Sequence, residues 1–104
     1  MIRVIVERRA KEGKEAEVLD LMREVRGSAM SQPGYISGET LYHYEDPSIF
    51  ISISMWGCAE YWRGWKNSAQ RKALEDKLGP LMRDEPKITL LQHPPQDFLT
   101  GYYR

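Results

Sequence analysis

Three tryptophans, Trp56, Trp62 and Trp65, stand close together in the chain, with Tyr61 among them and Phe50, Ser52 and Ser54 just upstream. Indole and phenyl rings can wall off a water-poor space that takes a planar ligand. Inside such a space a hydroxyl or an imidazole can hold or move a ligand proton. Ser52 and Ser54 supply hydroxyls, and each needs a partner or a bound water if its strand is covered on both faces. His43 is a candidate base, because imidazole titrates near neutral pH. Core packing is the competing use of the same rings. Tyr61, Trp62 and Trp65, at spacings of one, three and four, do not all point the same way, so at least one belongs to the core. A satisfied structural histidine is the competing reading for His43 in its strand and for His93 before two prolines. Cys58, beside Gly57 at a helix start, has no basic neighbour and reads as an inert thiol.

The elements that must position these groups are legible from periodicity. Ile2, Val4 and Val6 alternate with Arg3, Ile5 and Glu7, the period-two pattern of a first strand over Ile2 to Arg9. After Gly13 the period changes. Val18, Met22, Val25 and Ala29 recur at three and four, which makes an amphipathic helix ending near Ser31, before Pro33-Gly34. Tyr35 to Tyr44 and Ile49 to Trp56 read as two antiparallel strands joined by the turn residues Glu45-Asp46-Pro47-Ser48. In the later strand Ile49, Ile51, Ile53 and Met55 share one face and Phe50, Ser52, Ser54 and Trp56 the other, so both faces need a cover. Cys58 to Trp65 forms a short helix. Asn67-Ser68-Ala69-Gln70 resembles a capping box with Asn67 as the cap, starting a further helix near Ser68 that carries Leu74, Leu78 and Leu81 and breaks at Gly79-Pro80. Lys87 to Gln92 is the last strand. With right-handed crossovers this order gives an α+β, ferredoxin-like four-stranded antiparallel sheet with helices on one face.

The other face of that sheet is apolar at several positions. A two-fold partner presenting the same surface would bury it, so the expected assembly is a homodimer packed through its sheet faces. The tail over 93–104, with Phe98, Leu99, Tyr102 and Tyr103, is expected either to lie as an arm across that partner or to be disordered after Pro94-Pro95. Residues 1–92 are then one domain, and 104 residues leave no room for a second.

Charge excludes some partners. Lys plus Arg and Asp plus Glu are 15 each, so no net field draws the chain to nucleic acid or to anionic lipid. Arg8, Arg9 and Lys11 read as a solvated strand end with Glu7 and Glu12 as neighbours, since a nucleic-acid site shows a basic face. With one cysteine there is no intrachain disulfide, the start MIRVIVERR lacks a signal-peptide pattern, and no apolar run is long enough to span a bilayer. The expected location is cytoplasmic.

The stretches MIRVIVERRAKEGKEAEV, QPGYISGETL and SMWGCAEYWRGWKNSAQR resemble the antibiotic biosynthesis monooxygenase (ABM) family. The resemblance covers nearly all of residues 1–92. Its landmarks are the turn at Gly13, Pro33-Gly34-Tyr35 leading into the second strand, Trp56 closing the third, and the step Trp65-Lys66-Asn67-Ser68 between helices. It implies a dimeric α/β barrel of ferredoxin-like units, each with a pocket between sheet and helices, and it puts Trp56 and Trp65 beside that pocket. Members that oxidise polycyclic phenols need no flavin or metal, because the ionised substrate gives its own electrons to O₂. Their pattern is an Asn in the third strand, a Trp at its end, a Tyr in the next helix and an Arg in the last. Here Trp56 matches the Trp, Ser52 stands for the Asn, Trp62 for the Tyr, and Glu75 or Asp76 near the Arg. A carboxylate at that last position is expected to repel a phenolate. In haem-degrading members the pattern is an Asn, a Trp and an iron-ligating His. Trp65 matches the Trp, but Val6 and Glu75 replace the other two, so the iron ligand is missing.

The expectation is therefore a cofactor-independent monooxygenase acting on a small aromatic or electron-rich molecule, without metal or cofactor. Trp56, Ser52 and His43 are its expected catalytic groups, and Trp62, Trp65, Tyr61 and Phe50 surround the substrate. The replaced Asn and Arg positions favour the alternative, a non-catalytic dimeric module that binds a small ligand.

Overall fold

The chain runs β1 (Ile2–Arg9), α1 (Glu15–Ala29), β2 (Tyr35–Tyr42), β3 (Ile49–Trp56), α2 (Ala59–Lys66), α3 (Ala69–Leu78) and β4 (Lys87–Leu91), with a 3-10 turn at Gly79–Leu81. This structure, a computed structural model, describes residues 1–94. The expected arm, with Phe98, Leu99, Tyr102 and Tyr103, thus lies outside the described residues beyond Pro94.

The strands form one sheet in the order β2-β3-β1-β4, each pair antiparallel. Register follows the alternation in β1: Ile2 faces Trp56, Val4 faces Ser54, Val6 faces Ser52 and Arg8 faces Phe50. These residues share the face on which the helices pack, giving the ferredoxin-like α+β arrangement. One buried cluster joins Ile2, Val4 and Val6 to Ala29, Trp56, Trp62 and Trp65. A second joins Phe50 to Ala10, Val18, Met22, Leu78 and Met82. The opposite face carries Ile5, Ile51, Ile53 and Met55, all partly exposed, flanked by Leu41 and Leu91, about half exposed.

Local details depart from the sequence expectation for identifiable reasons. β2 stops at Tyr42 because the reversal begins at once: the His43 N–H bonds the Ile49 carbonyl at 2.8 Å, and Asp46 Oδ1 accepts from Ser48 N and Oγ at 3.1 and 2.6 Å. The cap of α3 is Ser68, not Asn67. Its Oγ accepts from Arg71 N at 3.1 Å and donates to the Trp65 carbonyl at 2.7 Å. Gln70 does not return a bond to the cap; its Nε2 donates to Ser28 Oγ of α1 at 3.5 Å and its Oε1 accepts from Gln32 Nε2, just past α1, at 3.2 Å. Gly34, at φ 80°, sits so close to Tyr61 that any Cβ there would overlap the Tyr61 ring. The loop before β2 is thereby locked to α2, and Gly57 N donates to the Gly34 carbonyl at 2.8 Å.

No helix among the described residues is long and apolar enough to cross a membrane.

Candidate active site

A cavity lies between the sheet and the helices, with about 520 Å³ of non-atom space counting its open mouth. It borders both buried clusters, since Val6, Ala29 and Trp56 of one and Met22 of the other line it. β3 gives it Ser52, Ser54 and Trp56; α2 gives Trp62 and Trp65; β2 gives Tyr35 and Thr40.

The indoles are fixed by their surroundings. Trp56 is almost fully buried, its Nε1 donates to Ser54 Oγ at 3.0 Å, and the Tyr35 ring stands edge-on to it at 5.4 Å. A T-shaped pair of this kind is a favourable ring geometry. Trp62 and Trp65, three apart on α2, are both buried and both reach the cavity. Ser54 is occupied as an acceptor and keeps its own O–H to donate, whereas Ser52 Oγ has no hydrogen bond among the described residues. Gly38 leaves room for the Tyr35 hydroxyl, 2.6 Å from where a Cβ would be.

The structure brings Trp56, Ser52, Trp62 and Trp65 together and leaves three expected site residues outside. His43 is exposed at the hairpin end, where its Nδ1 accepts from Glu45 N at 3.3 Å. Pairing explains this. Thr40 faces Ser52 and Tyr42 faces Phe50 on the helix side, so period-two alternation turns His43 to the other side of the sheet. Phe50 shares the face of Ser52 but packs in the second cluster with Leu78 and Met82, one pair of positions past the cavity. Tyr61 is about half exposed and covers Gly34.

The largest correction concerns charge. Arg8 is not a solvated strand end but is 3% exposed, because alternation puts it on the same face as Val4 and Val6. Its Nη1 donates to Glu75 Oε2 at 2.8 Å and its Nη2 to Oε1. Arg71, 4% exposed, donates to the same Oε1 from Nε at 3.4 Å and from Nη2 at 3.3 Å. Glu75 therefore does not stand as a bare carboxylate that would repel a phenolate; two guanidiniums neutralise it, and both Arg8 and Arg71 line the cavity. Burial raises the Glu75 carboxyl, but hydrogen bonding and charge from Arg8, with charge from Arg71, outweigh it and hold the pKa below the ordinary carboxylate value. Burial lowers the pKa of Arg71, as does Arg8, against the attraction of Glu75. Arginine nonetheless stays charged in proteins.

Sequence reading missed Arg8, Arg71, Tyr35 and Thr40 as cavity residues. Arg8 carried a usable signal, as the next member of the series Ile2, Val4, Val6. Among the described residues no group of three or more His, Cys, Asp or Glu could hold a metal ion.

The antibiotic biosynthesis monooxygenase family model matches residues 1–77, and the chain belongs to this family. It is 28% identical over 82 residues to protein SchA of Streptomyces halstedii, covering 79% of this chain and 22% of SchA. It thus spans about a fifth of the length of that curated relative. A solved structure of an antibiotic biosynthesis monooxygenase superposes with a TM-score of 0.82 at 20% identity, covering 91% of this chain and 100% of that one. SnoaB from Streptomyces nogalater, described as a cofactor-independent oxygenase, superposes with a TM-score of 0.78 at 16% identity, covering 91% and 95%. At these identities the structural likeness shows the fold.

Proposed function

We propose that the chain is a cofactor-independent monooxygenase of the ABM type that oxidises a small, electron-rich aromatic molecule with O₂ in this cavity. The observation that carries the reading is the wall made by Trp56, Trp62, Trp65 and Tyr35 around the hydroxyls of Ser52 and Thr40. Stacked rings hold a planar substrate and exclude water, and the hydroxyls hydrogen-bond its oxygen. The ionised substrate gives an electron to O₂, and the resulting pair joins at a ring carbon to form a C–O–O bond. O–O cleavage then leaves one oxygen as a carbonyl and releases the other as water. A methylene and O₂ become a carbonyl and H₂O, so the balance closes without flavin or metal.

Trp56 and Ser52 are the residues proposed to touch the reacting ring, with Trp62 and Trp65 binding it. Two copies are proposed to pair through the sheet face of Ile5, Ile51, Ile53 and Met55, which would bury the apolar side chains that the helices leave uncovered.

A second reading, ligand capture without oxidation, is favoured by Ser52 and Trp62 at the positions where phenol-oxidising members carry Asn and Tyr. Oxygen uptake with a panel of dihydroxynaphthalenes and anthrones separates the two. Faster uptake than in buffer is expected, with stoichiometric quinone. Rates equal to buffer across the panel, together with ligand-induced stabilisation, would leave capture as the function.

A further inference from the structure

We propose that the cavity contains an oxyanion subsite centred on Arg71, which selects ring compounds bearing one anionic oxygen group, with Glu75 and Arg8 as positioning residues. The inference rests on the reading of this cavity as a ligand site and names the chemical class it takes.

Arg71 Nη1 is shut off from solvent and has no hydrogen-bond partner. Buried donors in folded proteins are nearly always satisfied, so an orphan on a cavity wall marks where a bound group belongs. The other two nitrogens of this guanidinium are held, since Nε and Nη2 both donate to Glu75 Oε1. Arg8 spends both terminal nitrogens on the same carboxylate. Glu75 thus holds the Arg71 fork in one orientation, in which Nη1 is the nitrogen left without a partner. The guanidinium also lies 5.9 Å from the centre of the Trp62 ring, placing it beside the indole wall.

Charge decides which acceptor fits. Two guanidiniums and one carboxylate leave one positive charge over, in a partly desolvated place where it acts strongly. A neutral carbonyl would satisfy the N–H groups and leave that charge uncompensated. An oxyanion does both, through a charge-assisted hydrogen bond. Arg26, exposed at the end of α1, also lines the cavity and adds attraction for an incoming anion, while Glu39, paired with Ile53, is turned by alternation to the outer face of the sheet. The anionic oxygen can come from a ring carboxylate or from an ionised ring hydroxyl.

The test uses the full chain under nitrogen, where binding is read without turnover. 1-Naphthoate and its neutral amide are titrated by calorimetry, with 4-nitro-1-naphtholate at mildly alkaline pH as the ionised-hydroxyl arm. The expected result is anion affinity at least about tenfold above that of the amide. A preference for either anion supports the subsite and names its source. In Arg71→Met the preference should shrink to about twofold or less, and in Arg71→Lys, which keeps the charge and the Glu75 partner, part of it should return. Circular dichroism reports folding of both variants, and the wild-type comparison stands without them. Equal affinity for anions and amide overturns the inference while leaving the cavity a ligand site. Anion preference without oxygen uptake keeps the inference and removes the oxygenase reading. Binding of none of the three probes overturns the inference together with the reading beneath it.

Discussion

Arg8 of β1, which lines the cavity, and Glu75 of α3, separated by 67 residues in the chain, form a two-point pair, with Nη1 donating to Oε2 at 2.8 Å and Nη2 to Oε1. The pair ties the central strand to the last helix. Arg71 joins it from one helical turn earlier, and Ser68, which caps that helix, bonds the Arg71 backbone N–H. A strand position, a helix cap and a single carboxylate thus set the orientation of the Arg71 guanidinium, which lines the cavity.

Breaking this pair should destabilise the fold. Arg8→Met leaves Glu75 with only Arg71, in a site only about a quarter open to water. Losing one partner of a fully buried pair costs about 3–5 kcal/mol, and the partial exposure of Glu75 reduces this to about 2–3 kcal/mol. Urea denaturation of the single variant and of Arg8→Met/Glu75→Leu checks it. The double variant should recover much of the loss, because no lone charge remains.

Acid should act through the same carboxylate. The folded-state pKa of Glu75 is lowered, so its contribution is fully present above the unfolded value, about 4.3, and is lost as pH falls through the folded value. Stability measured from neutral pH down to strong acid should therefore drop more steeply below about pH 4 in the wild type than in Glu75→Gln. Parallel profiles would contradict the assignment.

Gly34→Ala should be strongly destabilising for two independent reasons. Its φ is 80°, and the added methyl would overlap the Tyr61 ring. The expected loss is about 2–4 kcal/mol by thermal or chemical denaturation. Adding Tyr61→Ala should relieve the overlap and leave the backbone strain.

Much of this architecture was legible, and the failures have causes. Alternation over Ile2 to Glu7 in β1 and throughout β3 sorts those residues onto the correct faces, although Arg8, read as a solvated end, continues the buried series, and the Gly79-Pro80 break appears as a 3-10 turn. The face of His43 was not readable, because a bulge between Tyr35 and Ser37 shifts the register of β2, so that Tyr35, Gly38, Thr40 and Tyr42 share the helix side. Asn67 and Ser68 are both competent caps, and one-residue choices of this kind depend on where the preceding helix ends. Phe50 and Ser52 share a face, and only packing against Leu78 and Met82 separates core from cavity. The Arg8–Glu75 pair needed the tertiary fold. A carboxylate seen alone in sequence carries no sign of the two cations that neutralise it.

The proposed pairing of sheet faces predicts that Ile51→Arg, placed on the outer face and clear of the cavity, yields folded single chains. Sedimentation of the wild type at micromolar concentration should give a dimer. A wild-type monomer with native circular dichroism would contradict the pairing.

The most direct test of the central claim plugs the cavity. Ser52→Leu adds apolar bulk on the cavity wall at a strand position that tolerates a branched side chain. Oxygen consumption with an anthrone substrate, measured beside quinone formation, should exceed the buffer rate for the wild type and fall at least about tenfold in the folded variant, equivalent to about 1.4 kcal/mol of lost transition-state stabilisation. Uptake above buffer that Ser52→Leu leaves unchanged would place the chemistry elsewhere, and wild-type uptake equal to buffer would contradict the oxygenase reading itself.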